Sequence, residues 1–283
     1  MLFLSNISLT AFKNYPAARF DFNERIIGIC GPNGVGKTNL LDAIYYCCFT
    51  RSYFTKSDSQ NVLTGALGFR IEGNFMQDGK PLQAVCILRE TGKKEFLVQG
   101  EAYTRFADHI GRLPCVIIAP DDVQIITGIS EERRRLLDAL LSQLDNEYLR
   151  HLIDYNKVLQ QRNSFLKSLA EKKETNAALL QVYDQQLAGY GNPIFRKRKE
   201  FLQEFIPRVY ELYLQIAGIE EEIAIEYESQ LLAQSFESLL AGFREKDLLL
   251  QRTLGGIHRD DLAIRLKGQP FRNILYGDRK SVV

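Results

Sequence analysis

The segment Gly31-Pro-Asn-Gly-Val-Gly36-Lys37-Thr38 constrains this chain more than any other. It fits G-x-x-x-x-G-K-[ST], in which glycines let backbone N–H groups turn inward around phosphate oxygens. Such a loop needs a strand to deliver it and a helix that starts inside it, because the helix N-terminus adds partial positive charge. Both are legible. Residues 26–30 form a short unbroken apolar run, the pattern of a strand buried on both faces. Residues 37–49 space Leu40, Leu41, Ile44, Tyr45 and Cys48 as one helical stripe. The predicted nucleotide site is Gly31, Pro32, Asn33, Gly34, Val35, Gly36, Lys37, Thr38 and Asn39. Lys37 would reach the β- and γ-phosphates, and the Thr38 hydroxyl would be a ligand of Mg²⁺, which prefers oxygen donors. ATP and Mg²⁺ are therefore the expected cofactors. A GTPase would need N-K-x-D, and Asn156-Lys157-Val158-Leu159 has a leucine where guanine requires a carboxylate.

The rest of the chain divides by pattern. Residues 2–12 alternate as an edge strand, with 17–22 as its hairpin partner. Residues 68–103 read as a meander, with strands at 69–75, 82–88 and 95–98 and a turn at Gln77-Asp-Gly-Lys80. Residues 116–119 predict a second buried strand, stopped by Pro120. Beyond that the period changes. Ser130 is placed to cap a helix carrying Leu136, Leu137, Leu140, Leu141 and Leu144, and Asp145 to cap the next. Helical pattern continues to 216, with a break near Gly189-Tyr-Gly-Asn-Pro193, and strands return at 222–227 and 262–266. The predicted fold class is α/β: a P-loop ATPase lobe formed by residues 1–129 and 217–283, with an inserted helical lobe at 130–216.

Composition narrows the function. Charged residues make up 25% and the formal net charge is +1, so any nucleic-acid contact must be a local patch. The dense basic clusters are Arg133 to Arg135 and Arg196-Lys197-Arg198-Lys199. The second is the expected DNA-binding patch; the competing reading of both is a solvated helix face paired with Glu131, Glu132 and Glu200. The five cysteines are odd in number and contain no C-x-x-C, which predicts buried thiols in a reducing compartment. No signal layout opens the chain and no apolar run approaches the ~18 residues of a membrane span, so a cytoplasmic protein without membrane association is expected. His109 and His151 read as surface or boundary residues, and His258 as a structural hydrogen-bonding group beside the nucleotide site. No catalytic residue is assigned.

Longer stretches carry a family resemblance. The loop runs on through Asn39 into Leu40-Leu-Asp-Ala-Ile44, similar to the SMC-like branch of ABC-type ATPases. Ile7-Ser-Leu9 with Phe12-Lys13-Asn14-Tyr15 resembles the opening of the RecF family of bacterial recombinational repair proteins. Ala119-Pro-Asp-Asp122, Glu132-Arg-Arg-Arg-Leu-Leu-Asp138 and Gly256-Ile-His-Arg-Asp-Asp-Leu262 resemble later segments of the same family. The resemblance implies an ABC/SMC-type ATPase in which Lys13 and Asn14 join the nucleotide site. It also implies an ATP-dependent homodimer that binds DNA at gaps and single-strand/duplex junctions, works with RecO and RecR, and serves repair, replication and the SOS response. The family activity is slow DNA-dependent ATP hydrolysis.

The resemblance fades after Phe271-Arg-Asn-Ile274, where Leu275 to Val283 stands in place of a Ser-Gln-Gly-Gln signature. Gly277, Arg279, Lys280 and Ser281 resemble remnants of it. The usual Walker B acids would lie past Val283, so the expectation is a truncated or altered member that turns over ATP slowly or not at all. Asp121 and Asp122, after residues 116–119, are an alternative Walker B; Pro120 between strand and acids favours a junction loop instead. An ABC transporter ATPase is the alternative function, and it calls for an L-S-G-G-Q string that the sequence lacks.

Overall fold

The structure, a computed structural model, describes residues 1–172, 177–271 and 273. Contacts divide it into two compact units, Met1–Ile117 and a second from Ile118 onward.

In the first unit, β1 (Leu2–Phe12) and β2 (Tyr15–Asp21) form a hairpin closed by Lys13 and Asn14. After α1 (Lys37–Phe49) come β3 (Phe69–Gln77), β4 (Lys80–Leu88), β5 (Lys94–Val98) and the short β6 (Glu101–Ala102). They make one antiparallel sheet in the order β2-β1-β3-β4-β5-β6. The expected meander is present, and its Gln77–Lys80 turn has positive φ at Asp78 and Gly79, as a tight two-residue hairpin requires. β1 lies between β2 and β3 rather than at the edge; its eleven residues are long enough to pair on both sides, and β2 is the edge. Ile7, Leu9, Phe12, Ile71, Ala84 and Phe96 line the buried face, against which α1 packs.

Two predicted strands are absent. Residues 26–30 and 116–119 are assigned no strand, and Ile26 and Ile118 are 88% and 86% exposed. A buried parallel strand takes its backbone partners from both neighbours. Among the described residues neither segment is hydrogen-bonded into a sheet.

In the second unit, a 3₁₀ turn at Pro120–Val123 leads through α2 (Gln124–Thr127) into α3 (Ser130–Leu144), α4 (Asn146–Lys172) and α5 (Ala177–Ala217). β7 (Ile223–Glu228), α6 (Phe236–Leu250), β8 (Asp261–Leu266) and β9 (Gln269–Pro270) follow, with sheet order β7-β8-β9. Asp145 caps α4, its Oδ1 accepting from the N–H groups of Glu147 and Tyr148 at 2.9 and 3.1 Å. Ser130 is already the first helical residue and makes no side-chain cap.

The expected break at 189–193 does not occur: α5 runs 41 residues through Pro193 and Pro207. Packing keeps it continuous through that point. Ala188 and Ile194 are buried in the core with Phe236, and a Cβ on Gly191 would lie 2.3 Å from the Phe236 ring. Gly191 thus marks a close helix–ring approach rather than a helix end. Residues 217–271, placed by pattern with the ATP-binding lobe, lie in the same compact unit as the helices, the unit that begins at Ile118. The cause is a shared core, in which Leu137, Tyr155, Phe236 and Ile257 belong to one cluster.

Candidate nucleotide-binding site

The phosphate loop opens α1 as its sequence requires. Gly31, Gly34 and Gly36 have φ of 148°, 84° and 104°, the left-handed region that favours glycine. Gly36 is constrained twice: a Cβ there would also meet the Asn14 side chain at 2.6 Å and the Tyr15 hydroxyl at 2.8 Å. Residues 31–35 and Thr38 are exposed, so the loop faces solvent. Lys37 Nζ donates to the carbonyl oxygens of Gly31 and Pro32, both at 2.8 Å, and spans the loop mouth.

The β1–β2 turn holds this loop from below. Asn14 Nδ2 donates to Val35 O at 3.1 Å, and the Tyr15 hydroxyl donates to Gly36 O at 3.0 Å. Asn39 Nδ2 donates to Asn14 Oδ1 at 2.8 Å. Asn14 and Asn39 therefore stand beside the loop. Lys13 is turned into the unit: its Nζ lies 2.5 Å from Asp42 Oδ2 and over the Phe12 and Phe54 rings.

Asp42 and Tyr15 are the residues that sequence reasoning missed. The helical stripe placed Leu41 inside, yet Leu41 is exposed and Asp42 is fully buried. A carboxylate in the apolar run Leu40-Leu41-Asp42-Ala43-Ile44 was the available signal, since acids are rarely buried unless paired.

For Mg²⁺, the donor available is the exposed Thr38 hydroxyl in the first turn of α1. That fits an ion which keeps most of its waters and takes its remaining ligands from phosphate oxygens. Among the described residues, no group of three or more His, Cys, Asp or Glu could hold a metal. Asp122 Oδ2 accepts from Ala119 N at 2.6 Å and closes its own 3₁₀ turn, so residues 119–122 form a capped junction. Gly277, Arg279, Lys280 and Ser281 lie outside the described residues.

The expected DNA patch is split by burial. Arg196, Lys197 and Lys199 are exposed, with Lys197 Nζ 2.9 Å from Asp145. Arg198 is 1% exposed and cannot meet a DNA surface. Its guanidinium bonds to Asp138 and Asp260 at 2.8 Å, to Ile257 O at 2.8 Å and to the Tyr148 hydroxyl at 3.1 Å. Helical periodicity explains the split: one residue in four consecutive positions of a half-buried helix points inward. Arg133 likewise turns inward, gripping Asp261 through Nε and Nη2 and donating to Ile125 O and Gly128 O. Arg134 donates to Asp260 O, while Arg135 stays exposed with Glu131 and Glu132.

His109 is fully buried rather than at the surface. Its Nε2 lies 2.7 Å from Cys47 O, and burial lowers its pKa to about 4. A neutral ring donating to that carbonyl leaves Nδ1 bare and without a partner. His258 is held structurally, by the Tyr155 hydroxyl at 2.7 Å and Thr253 O at 3.1 Å, and burial lowers it to about 4 as well. Cys47, Cys48 and Cys86 are buried thiols; Cys30, next to the loop, is exposed and Cys115 is half-buried. No helix among the described residues is long and apolar enough to cross a membrane.

The chain is similar to known proteins along nearly its whole length. The sequence matches the AAA domain family over residues 6–251. A DNA replication and repair protein RecF of Flavobacterium johnsoniae is 41% identical over 279 residues, covering 98% of this chain and 78% of that protein. A solved structure of the recombination mediator protein RecF-ATPrS in the RecFOR pathway is similar with a TM-score of 0.90 and 27% identity, across 99% of this chain and 78% of the other. The corresponding RecF-ATP structure gives a TM-score of 0.89 and 28% identity, across 96% and 75%. These relatives are repair proteins, which removes the transporter reading. With its phosphate loop, the Lys13–Tyr15 turn beneath it and this similarity along nearly its whole length, the chain belongs to the RecF family of DNA replication and repair proteins.

Proposed function

We propose that this chain binds Mg-ATP at Gly31–Thr38 and acts as a DNA-binding protein of recombinational repair. The observation that carries the reading is the complete phosphate loop, with left-handed φ at Gly31, Gly34 and Gly36, in a chain 41% identical to a RecF protein. Lys37 meets the β/γ-phosphates and the Thr38 hydroxyl takes Mg²⁺; Asn14 and Asn39 border the nucleotide. Lys37 must exchange its two carbonyl partners for phosphate oxygens, a trade of neutral acceptors for charged ones that favours the bound state.

ATP-dependent pairing of two copies, action at DNA gaps with RecO and RecR, and a cytoplasmic setting follow from the family. DNA contact uses phosphates rather than bases, through exposed cations such as Arg196, Lys197 and Lys199. Residues 119–122 form a 3₁₀ turn closed by Asp122 Oδ2 on Ala119 N, which favours a junction over a Walker B strand at that segment. The test is Mg-ATP titration of the parent and of Lys37→Ala. Loss of one charge-assisted phosphate contact costs about 1.5–3 kcal/mol, or roughly ten- to a hundredfold in Kd. Equal affinity in the two proteins refutes the site.

A further inference from the structure

We propose that Asp42 is a positioning residue of the nucleotide site: from the core it anchors the Lys13–Tyr15 turn, and through that turn it sets the shape of the second half of the phosphate loop. The proposal takes its ligand from the ATP reading above but its geometry from the fold alone.

Asp42 is fully buried, and both of its carboxylate oxygens are partnered. Oδ2 is ion-paired with Lys13 Nζ at 2.5 Å and accepts from Ser52 Oγ at 2.7 Å, and Oδ1 accepts from Tyr53 N at 2.7 Å. A carboxylate in an apolar core persists only where partners offset its lost hydration. Lys13 gives up as much: it is 11% exposed, has φ of 51°, and lies over the Phe12 and Phe54 rings at 5.7 and 5.6 Å. A positive φ at a non-glycine residue costs energy that its surroundings must repay. The ion pair therefore fixes a turn that would otherwise relax.

That turn reaches the loop through the next two residues. Asn14 Nδ2 holds Val35 O, and the Tyr15 hydroxyl holds Gly36 O. In a planar trans peptide the carbonyl and the following N–H point in opposite directions. Holding the carbonyls of Val35 and Gly36 toward the turn thus aims the N–H groups of Gly36 and Lys37 away from it, to the side where phosphate oxygens bind. Gly36 O also accepts from Leu40 N at 3.0 Å, so the same carbonyl ties the turn to the first bond of α1. Asp42 touches none of these loop atoms; it acts through Lys13.

The experiment pairs amide hydrogen exchange on the nucleotide-free protein with Mg-ATP titration. It compares the parent, Asp42→Asn, Lys13→Met, the double variant, and Arg70→Ala as a control in the exposed Arg70–Glu72 pair. In Asp42→Asn, exchange at residues 13–15 and 35–38 is expected to rise tenfold or more, with the β3–β4 hairpin unchanged. Kd for Mg-ATP should weaken at least tenfold, and the double variant should bind no more weakly than Asp42→Asn alone. If the single variant does not fold, the double variant, which removes both charges, carries the same two measurements. Unchanged exchange and affinity in folded Asp42→Asn overturn the proposal, as do additive losses in the double variant. A parent that fails to bind Mg-ATP sinks the ATP reading, and the exchange data then decide the anchor by themselves.

Discussion

The phosphate loop and the core beneath the Gly256–Asp261 segment use the same residue types in opposite ways. At the loop, Lys37 is partly exposed and bonded only to neutral carbonyls. In the second unit, Arg198 and Arg162 are almost or wholly inaccessible and are bonded to carboxylates: Arg198 to Asp138 and Asp260, Arg162 to Asp184 and Asp247. A cation with weak neutral partners is ready to exchange them for a ligand. One that is desolvated against two carboxylates is committed to the fold, because leaving would strand buried charge. A basic cluster is therefore evidence of a binding surface only once its burial is known.

The contrast is broken most directly at Arg198. Arg198→Ala leaves Asp138 and Asp260 without their cation and is expected to destabilise by about 3–5 kcal/mol, with ATP affinity of the folded fraction unchanged. Denaturant unfolding measures it; a loss under about 1 kcal/mol would mean the network contributes no more than a surface pair.

Acid pH probes both units through their buried histidines. His109 and His258 are held neutral with pKa lowered to about 4, against 6.5 when unfolded. Between these values the unfolded chain binds more protons, so stability falls as pH drops from about 6.5 toward 4, on the order of 3 kcal/mol for each histidine. In the second unit, burial raises the pKa of Asp247 and Asp260, which opposes that loss because the folded form binds their protons more readily. Melting curves from pH 7 to 4.5 should fall, and His109→Gln should flatten them. Melting curves left unchanged by His109→Gln are not compatible with a buried neutral ring at that position.

Gly191 sharpens the comparison at the level of shape. Gly191→Ala drives a methyl into the Phe236 ring and is expected to cost about 1–3 kcal/mol, while Gly189→Ala, with open space at its Cβ, should be neutral or stabilising. Equal effects at the two positions would deny the close packing of α5 on α6.

The smallest stability effects belong to the exposed cations. Arg196→Ala and Lys199→Ala should change stability by less than about 0.5 kcal/mol. Each should lower the salt dependence of DNA binding by about 0.9 in log–log slope if the residue contacts a phosphate. An unchanged slope in both removes this face of α5 from the DNA surface.

Local chemistry was sufficient for the phosphate loop, the Asp78-Gly79 hairpin, the Asp145 cap and the helical character of the segment after Ser130, because each depends on residues within a few positions of one another. The family likeness was legible for the same reason: short strings such as Phe12-Lys13-Asn14-Tyr15 keep their order along the chain. Only tertiary structure decided which side of α1 faces inward, since Leu41 and Asp42 are neighbours and the choice rests on Lys13, twenty-nine positions away in sequence (roughly one hundred ångströms of extended chain). It also decided that Arg198 is core and Arg196 is surface, that α5 runs through Gly191 and Pro193, and that residues 26–30 and 116–119 stay outside both sheets. In each case the controlling partner is distant along the chain, and hydrophobic pattern records how apolar a segment is but not which neighbour will cover it.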